Sequence, residues 1–182
     1  MILKIVSVGD PVLRQKARPL TPQEIRGSFI QDLIAHMRET MRDAPGVGLA
    51  APQVGQSLQL AVLEDKAEYH RNASDDDLKA RERKPVPFHV IINPAIELLS
   101  APDVAFHEGC LSLPGFMAVV PRARKVRVRC LDEHGKAATI EASGWYARIL
   151  QHEIDHLNGG VYIDRMQSQT FTTLEHYQRL KK

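Results

Sequence analysis

Two histidines flanking three residues, in His152-Glu153-Ile154-Asp155-His156, constrain this chain more than any other feature. Residues four apart on a helix share a face, so a helix through this segment lets both imidazoles converge on one metal ion. Ser143 offers a start for that helix and Gly159-Gly160 a stop after Leu157. Ile149, Leu150, Ile154 and Leu157 give it apolar surface that has to be covered, which puts the helix inside the fold. Glu153 stands beside the pair, placed for general-base work. With 8 His and 11 Glu in the chain, chance placement yields the two histidines with this glutamate only roughly 0.02 times per chain, so two solvated histidines are the poorer reading.

The remaining pattern is richer in strands than in helices. Thr21-Pro22-Gln23-Glu24 is a capping box with proline at the first helical position. The apolar stripe Ile25, Phe29, Ile30, Leu33, Ile34, Met37 and Met41 predicts one amphipathic helix ending before Pro45. Strand-like runs cover 58–63, 88–92, 96–99 and 125–131, and Asp132-Glu133-His134-Gly135 reads as a hairpin turn into Ala138–Glu141. A weaker helix spans Thr172 to Leu180. Strands without regular helix alternation predict an α+β fold. At 182 residues the expectation is one domain, 1–182, with residues 66–87, charged and closed by Pro85 and Pro87, as a polar surface insertion.

Composition narrows the function classes. The chain is 43% hydrophobic and 25% charged with a formal net charge of +2, an ordinary globular balance that does not by itself suggest nucleic acid. No apolar run approaches the ~18 residues of a membrane span, and Asp10 interrupts any signal-peptide core. Cys110 and Cys130 could form one bridge at most, so a reducing compartment is expected and each thiol needs its own account. Arg122, Arg124, Lys125, Arg127, Arg129 and the terminal Lys181-Lys182 raise a ribosome- or nucleic-acid-binding reading. Charges alternating along one strand are usually a solvated face, and no aromatic platform interleaves them.

A catalytic site on this helix needs a third protein ligand and an open coordination position. The metzincin extension would place histidine at 162, where the chain has Tyr162. An acidic ligand, Asp164 or Glu175, would make the chain a zinc endopeptidase. Glu108-Gly109-Cys110-Leu111-Ser112 offers a thiolate on a glycine-containing turn, and beside the histidine pair Cys110 is read as a ligand. Cys130, on the apolar face of an alternating strand, reads as a small buried hydrophobe.

Gly46-Val47-Gly48-Leu49-Ala50-Ala51-Pro52-Gln53, Glu108-Gly109-Cys110-Leu111-Ser112 and Gln151-His152-Glu153-Ile154-Asp155-His156-Leu157 resemble, in order and spacing, the three signature motifs of the peptide deformylase family. The likeness extends to Gly9-Asp10-Pro11-Val12-Leu13, and Ala142-Ser143-Gly144-Trp145 is similar to the organellar-type branch. The resemblance implies antiparallel sheets packed around a central helix that carries the motif. It implies Cys110, His152 and His156 as metal ligands, Glu153 as general acid and base, and Gln53 with the Leu111 N–H facing the oxyanion. It further implies that Gly48 and Gly109 lie where a bound peptide pairs, and that Val47, Phe106, Trp145 and Ile149 line a methionine pocket. Trp145 is bulkier than the aliphatic residue common in bacterial members, and Arg148 replaces an apolar one. The implied reaction removes the N-formyl group from the formylmethionine of new polypeptides and releases formate. The implied cofactor is one divalent ion, ferrous iron in the cell, with zinc, nickel or cobalt able to replace it. Nascent N-formylmethionyl peptides are the expected partners, with transient ribosome association open, no membrane and no sequence-specific nucleic acid. The expected compartment is bacterial cytoplasm, or an organelle if a transit peptide has been removed.

Overall fold

A computed structural model describes residues 1–71 and 73–180. Its helices are α1 (Pro22–Ile25), α2 (Ser28–Asp43), α3 (Asp75–Ala80), α4 (Gly144–Leu157) and α5 (Leu174–Leu180). Its strands are β1 (Gly48–Ala50), β2 (Leu60–Asp65), β3 (Val86–Leu98), β4 (Val104–Cys110), β5 (Leu113–Arg122), β6 (Lys125–Leu131), β7 (Ala137–Ser143) and β8 (Thr172–Thr173). One antiparallel sheet runs β1-β2-β3-β6-β7, and a smaller one runs β4-β5-β8. The α+β expectation holds.

Strand periodicity explains why α4 is central. Every residue of β2 is buried, because Leu60 and Val62 face a cluster built on α2 while Ala61 and Leu63 face one built on α4. In β3, Val90 and Ile92 turn to the α2 side and Ile91 to the other. The large sheet is therefore covered on both faces. Ala147, Leu150, Ile154 and Leu157 of α4 are buried in this core, each larger side chain contributing about 1.5–3 kcal/mol by leaving water.

Several elements differ from their sequence reading. The helix expected from Thr21 is two, because Gly27 adopts an extended φ −72°, ψ 148° and caps α2. Thr21 and Glu24 do form the capping box, on α1 alone. Phe29, counted in the buried stripe, is 61% exposed. The runs at 88–92 and 96–99 are a single strand whose register shifts at Asn93, where φ is +50°. The Asn93 amide compensates by donating to Leu20 O and accepting the Leu20 N–H. Strands β4 and β5 were not expected, since His107, Glu108, Pro114, Gly115 and Pro121 blur their alternation.

The segment 66–87 holds a 3-10 turn at Ala67–His70 and the short α3. Two of its arginines turn inward. Arg83 makes a two-point bond with the fully buried Asp65 carboxylate, at 2.8 and 2.9 Å. The basic run on β5 and β6 is largely neutralised: Arg122 is buried on Glu108, Arg124 pairs with Glu82, and Arg127 and Arg129 pair with Glu97 or Glu141. Lys181 and Lys182 lie outside the described residues.

Candidate active site

The helical spacing of His152 and His156 brings their rings to 5.0 Å between centroids. Cys110, the last residue of β4 and not a turn residue, delivers its sulfur to the same place. The ligand atoms of Cys110, His152 and His156 lie within 4.8 Å of one another, and Cys110 Sγ is 3.3 Å from His156 Nε2. Ligand bonds of about 2.0–2.3 Å around a tetrahedral ion imply ligand separations of roughly 3.3–3.8 Å. The Cys110–His156 separation meets that spacing, and the three donors are close enough together to hold one divalent cation. The acidic alternatives are engaged elsewhere: Asp164 binds Arg14 and caps its own turn at Val161, and Glu175 pairs with Arg179 on α5.

Glu108 organises this set from behind. His152 Nδ1 donates to Glu108 Oε2 at 2.9 Å, which leaves Nε2 as the ligand nitrogen. Arg122 donates to both Glu108 oxygens at 2.9 and 3.0 Å, and Arg148 donates to Oε1 at 2.7 Å. Arg122 also pairs with Asp155, which in turn holds Arg165. Burial by itself would push the Glu108 pKa up, but the bonds from His152 and Arg122 outweigh it and hold the carboxyl well below the usual range. Arg148 continues to Val120 O and Val104 O, tying α4 to the smaller sheet. The sequence reading gave Glu108 no role, placed Arg122 only in a basic run open to nucleic acid, and noted Arg148 only as replacing an apolar pocket residue. A signal for Arg148 existed: it lies four residues before His152, on the same helical face.

Glu153 is 3% exposed, and its Oε2 has no hydrogen-bond partner among the described residues. Burial pushes its pKa up to about 7, with Glu108 adding and His152 and Arg122 opposing. Its carboxylate rests directly on β1, where a Cβ at Gly48 would lie 2.2 Å from Glu153 Oε1. Only glycine leaves that space.

Gln53 is buried, and its orientation is set by its neighbours. Its Oε1 accepts the Ala50 N–H at 2.9 Å, and its Nε2 donates to Ser112 Oγ at 3.2 Å and to Cys110 Sγ at 3.5 Å. A cavity of about 610 Å³ opens over these groups. Val47, Gly48, Gln53, Gly109, Cys110, Leu111, Trp145, Ile149, His152 and Glu153 line it, while His156 lies buried beneath. Phe106 does not line this cavity. It lines a second one of about 280 Å³, beside Trp145 and Arg148, which line both cavities; the Arg148 guanidinium is 5.4 Å from the Phe106 ring. Arg83 of the 66–87 segment lines the main cavity, which the sequence reading did not anticipate.

Fold and site together define a class: an α+β protein whose buried helix and smaller sheet assemble a Cys-His-His set for one divalent ion beside an uncommitted carboxylate. A family model for polypeptide deformylases matches residues 2–172. The chain is 50% identical over 171 residues to the chloroplastic peptide deformylase 1A of Solanum lycopersicum, covering 94% of this chain and 62% of that protein. It is 50% identical over 163 residues to peptide deformylase 1 of Streptomyces coelicolor, covering 90% of this chain and 72% of that protein. The Met-Ala-Ser-bound class I type b peptide deformylase of Acinetobacter baumannii superposes with a TM-score of 0.80 at 30% identity, over 91% of this chain and 99% of that one. The chain belongs to the polypeptide deformylase family. It spans less than two thirds of the length of its tomato and Arabidopsis relatives, 62% and 64%.

Proposed function

We propose that this protein removes the formyl group from N-formylmethionyl peptides by metal-assisted hydrolysis, releasing formate and a free N-terminal methionine. The observation that carries this reading is the convergence of Cys110, His152 and His156 at the floor of a cavity that also holds Glu153 and Gln53. Thiolate and imidazole donors suit iron(II), zinc, nickel or cobalt, and iron(II) is the ion proposed in the cell. Bound there, the ion supplies Lewis acidity, lowering the pKa of water towards neutrality and polarising the formyl carbonyl.

This chain's own residues do the remainder. Glu153, buried and with a free oxygen, takes the proton of the attacking water and returns it to the departing amine, a contribution typically of ~10²–10⁴-fold. Gln53 Nε2 and the Leu111 N–H donate to the oxyanion, each such donor being worth roughly 3 kcal/mol. The Ala50 N–H fixes the orientation of that amide, and the Nε2 hydrogen that points at Cys110 Sγ is the one that turns to the oxyanion. β1 is an edge strand, so an extended peptide can pair along Gly46 to Gly48, with Gly109 opposite. The Val47, Trp145 and Ile149 side chains offer apolar surface for the first side chain.

The substrate class places the protein where translation starts with formylmethionine, in bacterial cytoplasm or in an organelle; its relatives include bacterial, chloroplastic and mitochondrial proteins. Among the described residues no helix is long and apolar enough to cross a membrane. Transient ribosome association fits a nascent-chain substrate and is checked by salt-dependent co-sedimentation. The decisive assay pairs a formyl-methionyl peptide with an internally cleavable peptide. Formate release from the first and an intact second are expected; cleavage of the second alone would replace this reading with the endopeptidase one.

A further inference from the structure

The two cavities share a wall. Trp145 and Arg148 line both. The guanidinium carbons of Arg81, Arg83 and Arg148 lie 4.7, 5.4 and 5.9 Å from the indole ring. Arg81 and Arg148 also lie 4.9 and 5.4 Å from the Phe106 ring, so they bridge the two aromatics. The indole N–H is buried and has no hydrogen-bond partner among the described residues, so the arginine contacts, and not a hydrogen bond, set how the ring stands.

Two of those arginines come from the 66–87 segment, and that segment is clamped in place. Arg83 is bound at two points by buried Asp65. At Gly144, the first residue of α4, a Cβ would lie 2.4 Å from Glu82 Cβ and 2.7 Å from Arg81 O. Gly144 (φ +60°) and Glu82 (φ +48°) both hold left-handed backbone at this contact. A polar excursion with no task would not require such close backbone packing against the helix that carries the metal ligands.

We propose that the 66–87 segment, through Arg81 and Arg83 stacked on Trp145, sets the depth of the side-chain pocket and hence which N-terminal residues are accepted. This rests on the deformylase reading and adds to it a specificity device. With the indole held as a wall, the pocket ends there. With the indole released, the second cavity becomes available to a side chain longer than that of methionine. Arg81 is a positioning residue here, since it lines only the second cavity.

Trp145 is the chain's sole tryptophan, so its fluorescence reports the wall directly. The test uses the metal-loaded protein with formyl-Met-Ala-Ser and with the same peptide carrying an S-butyl in place of the S-methyl group. One methylene of mismatch in an apolar pocket is worth roughly 10–200-fold in kcat/KM. Wild type should prefer methionine by at least about tenfold. Arg81→Ala should shrink that preference about tenfold or more, through the KM of the long substrate, and should make Trp145 more accessible to acrylamide quenching. Arg81→Lys, which keeps a cation over the ring, should restore part of both. Trp145→Leu should shrink the preference at least as far. Turnover of formyl-Met-Ala-Ser by Arg81→Ala with an unchanged preference and unchanged quenching would overturn the inference alone. No turnover by metal-loaded wild type would remove the deformylase reading, and this one with it.

Discussion

Glu108→Gln isolates the group on which the site's geometry depends. The substitution keeps the side chain's shape and removes its charge. Three partners are affected: Arg122, which donates to both oxygens, Arg148 and His152. Both arginines and Glu108 have side chains no more than 4% exposed, so water cannot replace the missing carboxylate. Removing one partner of a buried ion pair costs about 3–5 kcal/mol, and the amide oxygen recovers part of it, leaving about 3 kcal/mol. For a protein of this size that lowers Tm by roughly 6–12 °C. Loss of the acceptor for His152 Nδ1–H should also weaken metal retention about 10–100-fold. The pH dependence has a defined sign. The folded carboxyl is held well below its ordinary 4.5, so its contribution is complete above that value and is lost as pH falls below it. Melts of metal-free wild type and variant should therefore differ most at neutral pH and converge in acid. Chelator competition then measures the metal effect separately. A variant within about 2 °C of wild type at pH 7, with undiminished resistance to chelator, would refute the reasoning.

Four further outcomes follow from the same geometry. Glu153→Gln should keep the metal while kcat falls by about 10²–10⁴; a parallel loss of metal, read by elemental analysis, would make Glu153 a ligand. Cys110→Ala should bind metal poorly and show almost no deformylation, whereas Cys130→Ala, whose thiol is buried in the core and pushed up to about 11 by that burial, should cost roughly 1 kcal/mol of stability and little activity. Replacing 67–84 with a Gly/Ser linker would strand the Asp65 carboxylate without Arg83, and denaturant titration should show a loss of about 3–5 kcal/mol, unlike trimming an idle loop. Adding zinc to metal-free protein at a hundredfold excess over its Kd should raise stability by about 2.7 kcal/mol, and a melt insensitive to metal would count against the Cys-His-His set.

The chain by itself determined the chemistry-bearing helix, because the two histidines and the apolar residues around them obey a single local period, and α4 starts and stops where Ser143 and Gly159 mark it. It determined β6 and its hairpin for the same reason: Lys125 to Leu131 alternate, and Asp132 accepts two backbone N–H groups to close the turn. The motifs around Gln53 and Cys110 were also legible, as a resemblance that outlasts any reading of period. Tertiary structure decided what those periods do not encode. β4 and β5 stayed hidden because Glu108 and Arg122 are buried only by virtue of each other, so a polar residue there reads as solvent-facing until its partner, fourteen positions away, is in place. Glu153 acquires its setting from Gly48, a neighbour only after β1 folds against α4, and the far end of Gln53 meets Ser112, fifty-nine positions away. Phe106 was expected in the main cavity and lines the neighbouring one, with Trp145 and the Arg148 drawn to Glu108 shared between the two. The segment 66–87 looks idle in sequence for a related reason. Charged residues seek water by default, and only the buried Asp65 carboxylate, supplied by β2, turns Arg83 inward to the cavity wall.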